Sequence, residues 1–90
     1  MKPIFLACTL GVVMIVFGSS AAKASCASLW FERNQIYKDA GYCFKTPRAM
    51  RAFGNAGCSY DDIDDVPLSA NQRAVVQGIA AQERRMGCSD

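Results

Sequence analysis

The stretch IYKDAGYCFK, residues 36–45, decides how this chain folds. Its glycine, Gly41, is predicted to end a helix in the left-handed conformation that glycine adopts without steric cost. The chain turns at this point, so the aromatic rings before and after the turn are expected to converge on one space. These rings belong to Trp30, Tyr37, Tyr42, Phe44 and Phe53.

Two roles are open for these rings. Large rings bury about 150–250 Å² each and supply much of the core of a small domain, which favours structural packing. The alternative is a partly exposed platform that stacks on a sugar ring. Exposure of Trp30, Tyr37 and Tyr42 beside Arg33 or Lys45 would favour the platform.

Residues 1–24 are predicted to be a cleaved signal peptide. Lys2 supplies the positive start, residues 4–17 the apolar segment and residues 22–24 the Ala-x-Ala cleavage site. The apolar segment is shorter than the roughly 20 residues that a membrane-spanning helix needs. We therefore expect a domain at residues 25–90 with no stable membrane insertion after processing.

Processing also changes the charge. The ten Lys and Arg residues include Lys2 and Lys23, so eight remain against eight Asp and Glu. Phosphate binding needs a surplus of basic side chains on one face, which a formally neutral domain lacks. Nucleic acid is therefore not an expected partner.

The cysteines indicate an oxidising compartment, either the periplasm or the cell exterior. Cys8 lies in the predicted signal peptide, which leaves an even set in the mature chain. Two disulfides would compensate for the small core that so short a chain can bury. A zinc site is not expected, because the chain has no histidine and no C-x-x-C pair. The remaining cysteines are Cys26, Cys43, Cys58 and Cys88.

Geometry narrows the pairing of these cysteines without deciding it. Cys26 and Cys43 flank the first predicted helix, about 20 Å long, whereas a disulfide requires Cα atoms within about 7 Å. A second helix that returns antiparallel favours the pairs Cys26–Cys58 and Cys43–Cys88. The other option, Cys26–Cys88 with Cys43–Cys58, requires the loop between Cys43 and Cys58 to bypass the second helix.

Three helices are predicted, over residues 27–40, 47–53 and 70–86. The first begins at Ser25 or Ser28, and the second at the Thr46-Pro47 pair. The third begins with the Ser-x-x-Gln capping box at residues 69–72 and ends before Gly87. No strand is predicted, so the expected fold is a small, all-α, disulfide-stapled three-helix domain.

Polar residues in the first helix require partners. Arg33 is costly to bury alone, and Asn34 has poor helix propensity. We expect Arg33 to pair with an aspartate of the loop at residues 54–68, and Asn34 to bond loop backbone after Gly41. The alternative is a polar pair that faces a ligand. The candidate ligand-binding residues are then Trp30, Arg33, Asn34, Tyr37, Tyr42, Phe44 and Lys45.

Catalytic and metal-binding residues are scarce, so neither an enzyme nor a cofactor is expected. The chain has no histidine, and oxidised cysteines supply no thiol nucleophile. Glu32 and Asp39 share a helix face, but two carboxylates that face water do not make a glycosidase. The aspartates of residues 61–65 lack the spacing of a calcium loop and indicate a solvated acidic segment.

Residues 29–45, together with Phe53, resemble the YARHG domain of exported bacterial proteins. The spacing R-N-x-I-Y-x-x-x-G-Y-x-F-K, from Arg33 to Lys45, carries the resemblance. The motif that names the family is here Tyr37-Lys38-Asp39-Ala40-Gly41, so its ends are kept and its basic centre with the histidine is lost. Any role of that histidine is therefore not carried over.

The resemblance implies an exported module of the cell envelope without an established activity. Our leading hypothesis is a non-catalytic periplasmic or secreted domain that binds an envelope component, either peptidoglycan or another glycan, or an envelope protein. The runner-up is a small secreted inhibitor or interaction module. It would use the loop at residues 54–68 to enter a partner's cleft, since a stapled loop loses little entropy on binding.

Overall fold

The computed structural model describes residues 25–89, which fold into three α-helices. Helix α1 spans Cys26–Asp39, α2 spans Pro47–Phe53 and α3 spans Ala70–Met86. A 3-10 turn, Ile63–Asp65, lies in the loop before α3. The small all-α domain predicted from the sequence is confirmed. The predicted signal peptide, residues 1–24, and the last residue of the chain lie outside the described residues, so the cleavage stays a prediction.

Local capping explains where the helices begin. The Ser28 amide donates to Ser25 Oγ at 3.0 Å, and the Ser25 amide donates to Ser28 Oγ at 3.1 Å. Ser69 and Gln72 form the same reciprocal capping box at α3, and Thr46 caps α2. The predicted bounds of α2 and α3 are confirmed. They could be predicted because capping bonds join near neighbours in the chain. The prediction for α1 is one residue out at each end.

The turn after α1 is built on Gly41, which has a φ of 95°. Its carbonyl accepts hydrogen bonds from the amides of Ser59 and Tyr60, at 2.8 and 3.0 Å. The Cys43 amide donates to the Tyr60 carbonyl at 2.8 Å, and Tyr42 and Tyr60 form an isolated parallel β-bridge. The loop before α3 is thereby held against the end of α1.

The core consists of two clusters that share Tyr37 and Tyr42. The second cluster joins the last turns of α1 to the loop before α3, and its buried members are Val66, Leu68 and Val76. The first cluster lies between α1 and α2 and contains all the predicted rings. Its members are Trp30, Tyr37, Tyr42, Phe44, Ala49 and Phe53.

The disulfide pairing differs from the one that the sequence favoured. Cys26 is bonded to Cys88, and Cys43 to Cys58, with Cα–Cα distances of 5.5 and 5.2 Å. The predicted pairs Cys26–Cys58 and Cys43–Cys88 are therefore wrong. The two loops are nested, with the shorter one lying inside the longer one.

The physical reason is helix length. Helix α2 has 7 residues against 14 in α1, which is about 10 Å against about 21 Å. It is too short to return along α1. Helix α3 has 17 residues and packs antiparallel to α1, so its end reaches the start of α1. Cys88 rather than Cys58 therefore meets Cys26.

Replacing Gly41 with alanine is expected to lower the free energy of unfolding by about 1–2 kcal/mol, because an L-residue is strained at positive φ. The added Cβ would also lie 3.3 Å from Tyr60 Cδ2. Gly78→Ala is the matched control. No atom lies within 4 Å of its added Cβ, and alanine in a helix interior is expected to add about 0.5–1 kcal/mol. Urea unfolding of both variants measures the two changes in the free energy of unfolding, which are expected to have opposite signs. Equal changes would contradict the role of the turn.

Candidate functional site

A cleft of about 220 Å³ opens between α1, α2, the segment that links them and Ile63 of the loop before α3. Six of the seven candidate residues named from the sequence line this cleft. Tyr37 is the exception, because it packs between the two core clusters. The six are Trp30, Arg33, Asn34, Tyr42, Phe44 and Lys45.

The floor of the cleft is a tightly packed set of rings. Phe44 is 3% exposed and Trp30 is 8% exposed. The Phe44 ring stacks on Phe53 with centroids 5.2 Å apart, and its other neighbour Tyr42 meets it edge-on, also at 5.2 Å. This arrangement fits the core alternative for Trp30 and Phe44, whereas Tyr42 remains half-buried at the cleft wall.

Arg48 covers the indole ring of Trp30. Its guanidinium carbon lies 3.7 Å from the ring centroid, which is the geometry of a cation–π contact. Within residues 25–89, Arg48 has no carboxylate within ion-pair distance. Sequence reasoning did not name Arg48 as a candidate site residue. The Thr46-Pro47 start signal places Arg48 in the first turn of α2 but does not show that this turn faces Trp30.

The partner of Arg33 is not a loop aspartate, as predicted, but Glu83 of α3. Arg33 Nε donates to Glu83 Oε1 at 2.7 Å, and Nη2 donates to Oε2 at 3.0 Å. The side chains are 17% and 11% exposed. This bidentate pair explains why a glutamate is buried on α3 beside Val76 and Ile79. The polar network expected around Arg33 exists, but it crosses from α1 to α3.

Asn34 also has a different partner from the predicted one. Its Nδ2 donates to the Trp30 carbonyl, one turn earlier in α1, at 2.9 Å. Asn34 is 9% exposed, so this bond satisfies a buried amide. The bond ties the side chain to the backbone of the residue that forms the cleft floor.

Asn55 is a positioning residue that sequence reasoning did not find. The Phe44 amide donates to Asn55 Oδ1 at 2.7 Å, and Asn55 Nδ2 donates to the Phe44 carbonyl at 3.0 Å. These bonds and the Cys43–Cys58 disulfide close the loop around α2. Together they hold Phe44 in the floor of the cleft.

Lys45 lines the cleft and forms an exposed ion pair. Its Nζ lies 3.0 Å from Asp61 Oδ1, but the two side chains are 52% and 87% exposed. An ion pair this open is worth little, about 0–1 kcal/mol. Lys45 is therefore able to leave Asp61 for a ligand.

The charge of the cleft is one-sided. Three basic side chains line it, those of Arg33, Lys45 and Arg48, and its lining contains no acidic side chain. Glu83 and Asp61 compensate two of these cations from outside the lining. The three basic and two acidic side chains together therefore carry a net charge of one positive unit.

The two carboxylates considered for catalysis lie away from the cleft. Glu32 and Asp39 are exposed on α1, and Asp39 accepts a hydrogen bond from Gln35 at 2.9 Å. In the described part of the chain, no three metal-binding side chains lie together. Over the same residues, no helix has both the length and the apolar character needed to cross a bilayer.

At the position of the family's histidine the structure places a packing residue. Ala40 caps the end of α1 and packs partly buried against the cluster of Val66, Leu68 and Val76. The neighbouring Asp39 faces water. The part of the motif that is kept, Tyr37 with Gly41, builds the turn and the core.

Comparison with known proteins gives a match to a family model. No curated protein and no solved structure matches the chain. The model of the YARHG domain matches residues 12–84, which is most of the chain and includes all three helices up to the last turn of α3. This match and the two disulfides indicate an extracellular module. The chain, although it has Asp39 and Ala40 at the basic centre of the motif, belongs to the YARHG domain family.

Proposed function

We propose that this protein is a non-catalytic module, exported to the periplasm or beyond, that binds a glycan of the cell envelope in the cleft over Trp30. The observation that supports the proposal most is that aromatic rings form the floor of the cleft and basic side chains form its wall. Rings with adjacent hydrogen-bond donors are a common way to hold a polar ligand that has apolar faces.

The size of the cleft limits the ligand. Pockets for drug-sized molecules measure about 300–1,000 Å³, and this cleft of about 220 Å³ is smaller. It suits one sugar-sized group of a longer polymer.

The floor is also rigid, which favours binding. Trp30 and Phe44 are buried, and Asn55 and the Cys43–Cys58 disulfide hold the linking segment in place. A site that is already ordered loses little conformational entropy when a ligand enters. The exposed basic side chains of Lys45 and Arg48 lie at the rim of this floor.

Purified peptidoglycan sacculi provide the test. The exported, oxidised protein is expected to sediment with the sacculi, and Arg48→Ala is expected to weaken retention about tenfold or more, because hydrogen bonds to charged groups contribute about 1.5–3 kcal/mol. Arg51→Ala is the matched control. It removes the same charge from an exposed residue of α2 that does not line the cleft. Equal retention of the two variants would contradict binding in the cleft.

The second candidate, an inhibitor or interaction module, has its own supporting observation. Ile63 lines one edge of the cleft but is 44% exposed in the 3-10 turn of the loop, which is anchored by buried Val66 and Leu68 on one side and by Cys58 on the other. Crosslinking in the native envelope separates the two functions. A protein crosslinked through Asp64 or Asp65, which lie outside the cleft, would favour the interaction module over the glycan.

A further inference from the structure

We infer that the cleft selects a sugar-sized ligand that carries one carboxylate, and that Arg48 holds this carboxylate. The inference rests on the proposed function and names the chemistry of the same site. It follows from the charges around the cleft and from the position of Arg48 on the indole ring.

The charge balance indicates a monoanion. Arg33 is engaged by both oxygens of Glu83, at 2.7 and 3.0 Å, and cannot turn to a ligand without leaving a buried carboxylate. Lys45 can leave its exposed pair with Asp61, but the nearby Asp61 carboxylate still offsets its charge. The positive charge that remains uncompensated in the lining belongs to Arg48, and one negative charge neutralises it.

The contact with Trp30 prepares Arg48 for a planar anion. The guanidinium lies over the ring at 3.7 Å, and the ring itself is fixed because Trp30 is buried. A guanidinium whose face contacts a ring keeps its N–H donors at the edge, in a fork that matches the two oxygens of a carboxylate. The side chain therefore loses little freedom when it binds.

The same contact disfavours neutral sugars. The face of Trp30 on which an uncharged sugar would stack is occupied by Arg48. A neutral sugar would have to displace this cation–π contact and would offer it no charge in return. A phosphate monoester is also a poorer match, because it carries about −1.5 to −2 charges at neutral pH and exceeds the single uncompensated cation.

The single tryptophan of the chain allows a direct measurement. Because Trp30 is that residue, its fluorescence reports on Arg48 and on the cleft. The exported, oxidised protein is titrated with N-acetylmuramic acid and N-acetylglucosamine, which differ by a lactyl group with one carboxylate. Glucuronic acid with glucose forms a second matched pair, and inorganic phosphate is a separate arm. The two acids distinguish a carboxylate on a lactyl side group from a carboxylate on the sugar itself.

At least one acid is expected to bind about tenfold or more tightly than its neutral partner, because a charge-assisted hydrogen bond is made only with the acid. Arg48→Ala is expected to abolish this preference, and Arg51→Ala to keep it. Arg48→Lys, which keeps the charge but loses the planar fork, is expected to retain only part of it. Asp61→Asn frees Lys45 and is expected to tighten binding of the acid about two- to fivefold.

The outcomes separate the inference from the proposed function. Equal binding of acids and neutral sugars, or a preference that survives in Arg48→Ala, overturns the inference and leaves glycan binding intact. Tighter binding of phosphate than of either acid overturns it as well. If no sugar binds while sacculi still retain the protein, the inference is wrong and the proposed function stands. If the sacculi also fail to retain the protein, both the inference and the proposed function are wrong.

Discussion

Replacing Cys26 and Cys88 with serine is expected to lower the free energy of unfolding by about 4 kcal/mol. The sequence separation of this pair is 62 residues, and that of Cys43 and Cys58 is 15. In the chain-entropy model the longer loop contributes about 4 kcal/mol and the shorter about 3 kcal/mol. A domain of this size has a total stability of about 3–10 kcal/mol. Loss of the longer bridge therefore removes a large fraction of the total stability.

Urea unfolding followed by far-UV circular dichroism measures the difference. The serine variant at Cys43 and Cys58 is the matched comparison, because it also loses one bridge but a shorter loop. The two variants are also expected to differ in binding. The shorter bridge holds the segment that carries Phe44 and Lys45, so its loss weakens the cleft even where the fold survives. Unchanged stability on removal of the longer bridge would show that the packing of α1 on α3 suffices alone.

Replacing Glu83 with leucine is expected to cost about 3 kcal/mol of stability, toward the lower end of the values for broken buried ion pairs because Arg33 keeps some exposure. The carboxylate accepts two hydrogen bonds from Arg33 in a site where both side chains are mostly buried. Without it, the guanidinium stays in a poorly hydrated position with its main partner lost. The effect arises from an uncompensated charge rather than from lost packing.

A double variant distinguishes these two causes. Arg33→Met with Glu83→Leu removes both charges and is expected to recover most of the lost stability, because a well-packed apolar pair often replaces a buried ion pair at little cost. Asp61→Asn breaks the exposed pair with Lys45 and is the control, with an expected cost of about 0–1 kcal/mol. Thermal unfolding of the wild type, Arg33→Met, Glu83→Leu and the double variant gives the coupling energy, and Asp61→Asn is measured beside them. A double variant less stable than Glu83→Leu would contradict the charge explanation.

The location of the Arg33–Glu83 pair links stability to the cleft. Arg33 lines the cleft, while Glu83 holds it from α3. The pair thus attaches the wall of the cleft to the longest helix of the domain. Variants of Glu83 are therefore expected to change binding along with stability, unlike Arg51→Ala, which touches neither.

The elements that the sequence predicted correctly depend on near neighbours. The bounds of α2 and α3 follow from the Thr46 cap and from the Ser69–Gln72 capping box, whose bonds span three residues. The turn at Gly41 follows from one residue that tolerates positive φ. The gathering of rings around that turn follows from the turn itself. Among the candidate residues that line the cleft, Tyr42, Phe44 and Lys45 directly follow this turn, whereas Arg33 and Asn34 were named because polar groups in a helix need partners.

The features that only the tertiary structure decided depend on which distant segments meet. Helix α2 proved too short to return along α1, so α3 supplied both Cys88 for Cys26 and Glu83 for Arg33. Arg48 became part of the site because α2 packs its first turn against Trp30. Capping and turn formation depend on bonds between residues close in sequence, so a short stretch of sequence is enough to predict them. The partner of a cysteine or of a buried charge is chosen by the packing of whole helices, which no local pattern contains.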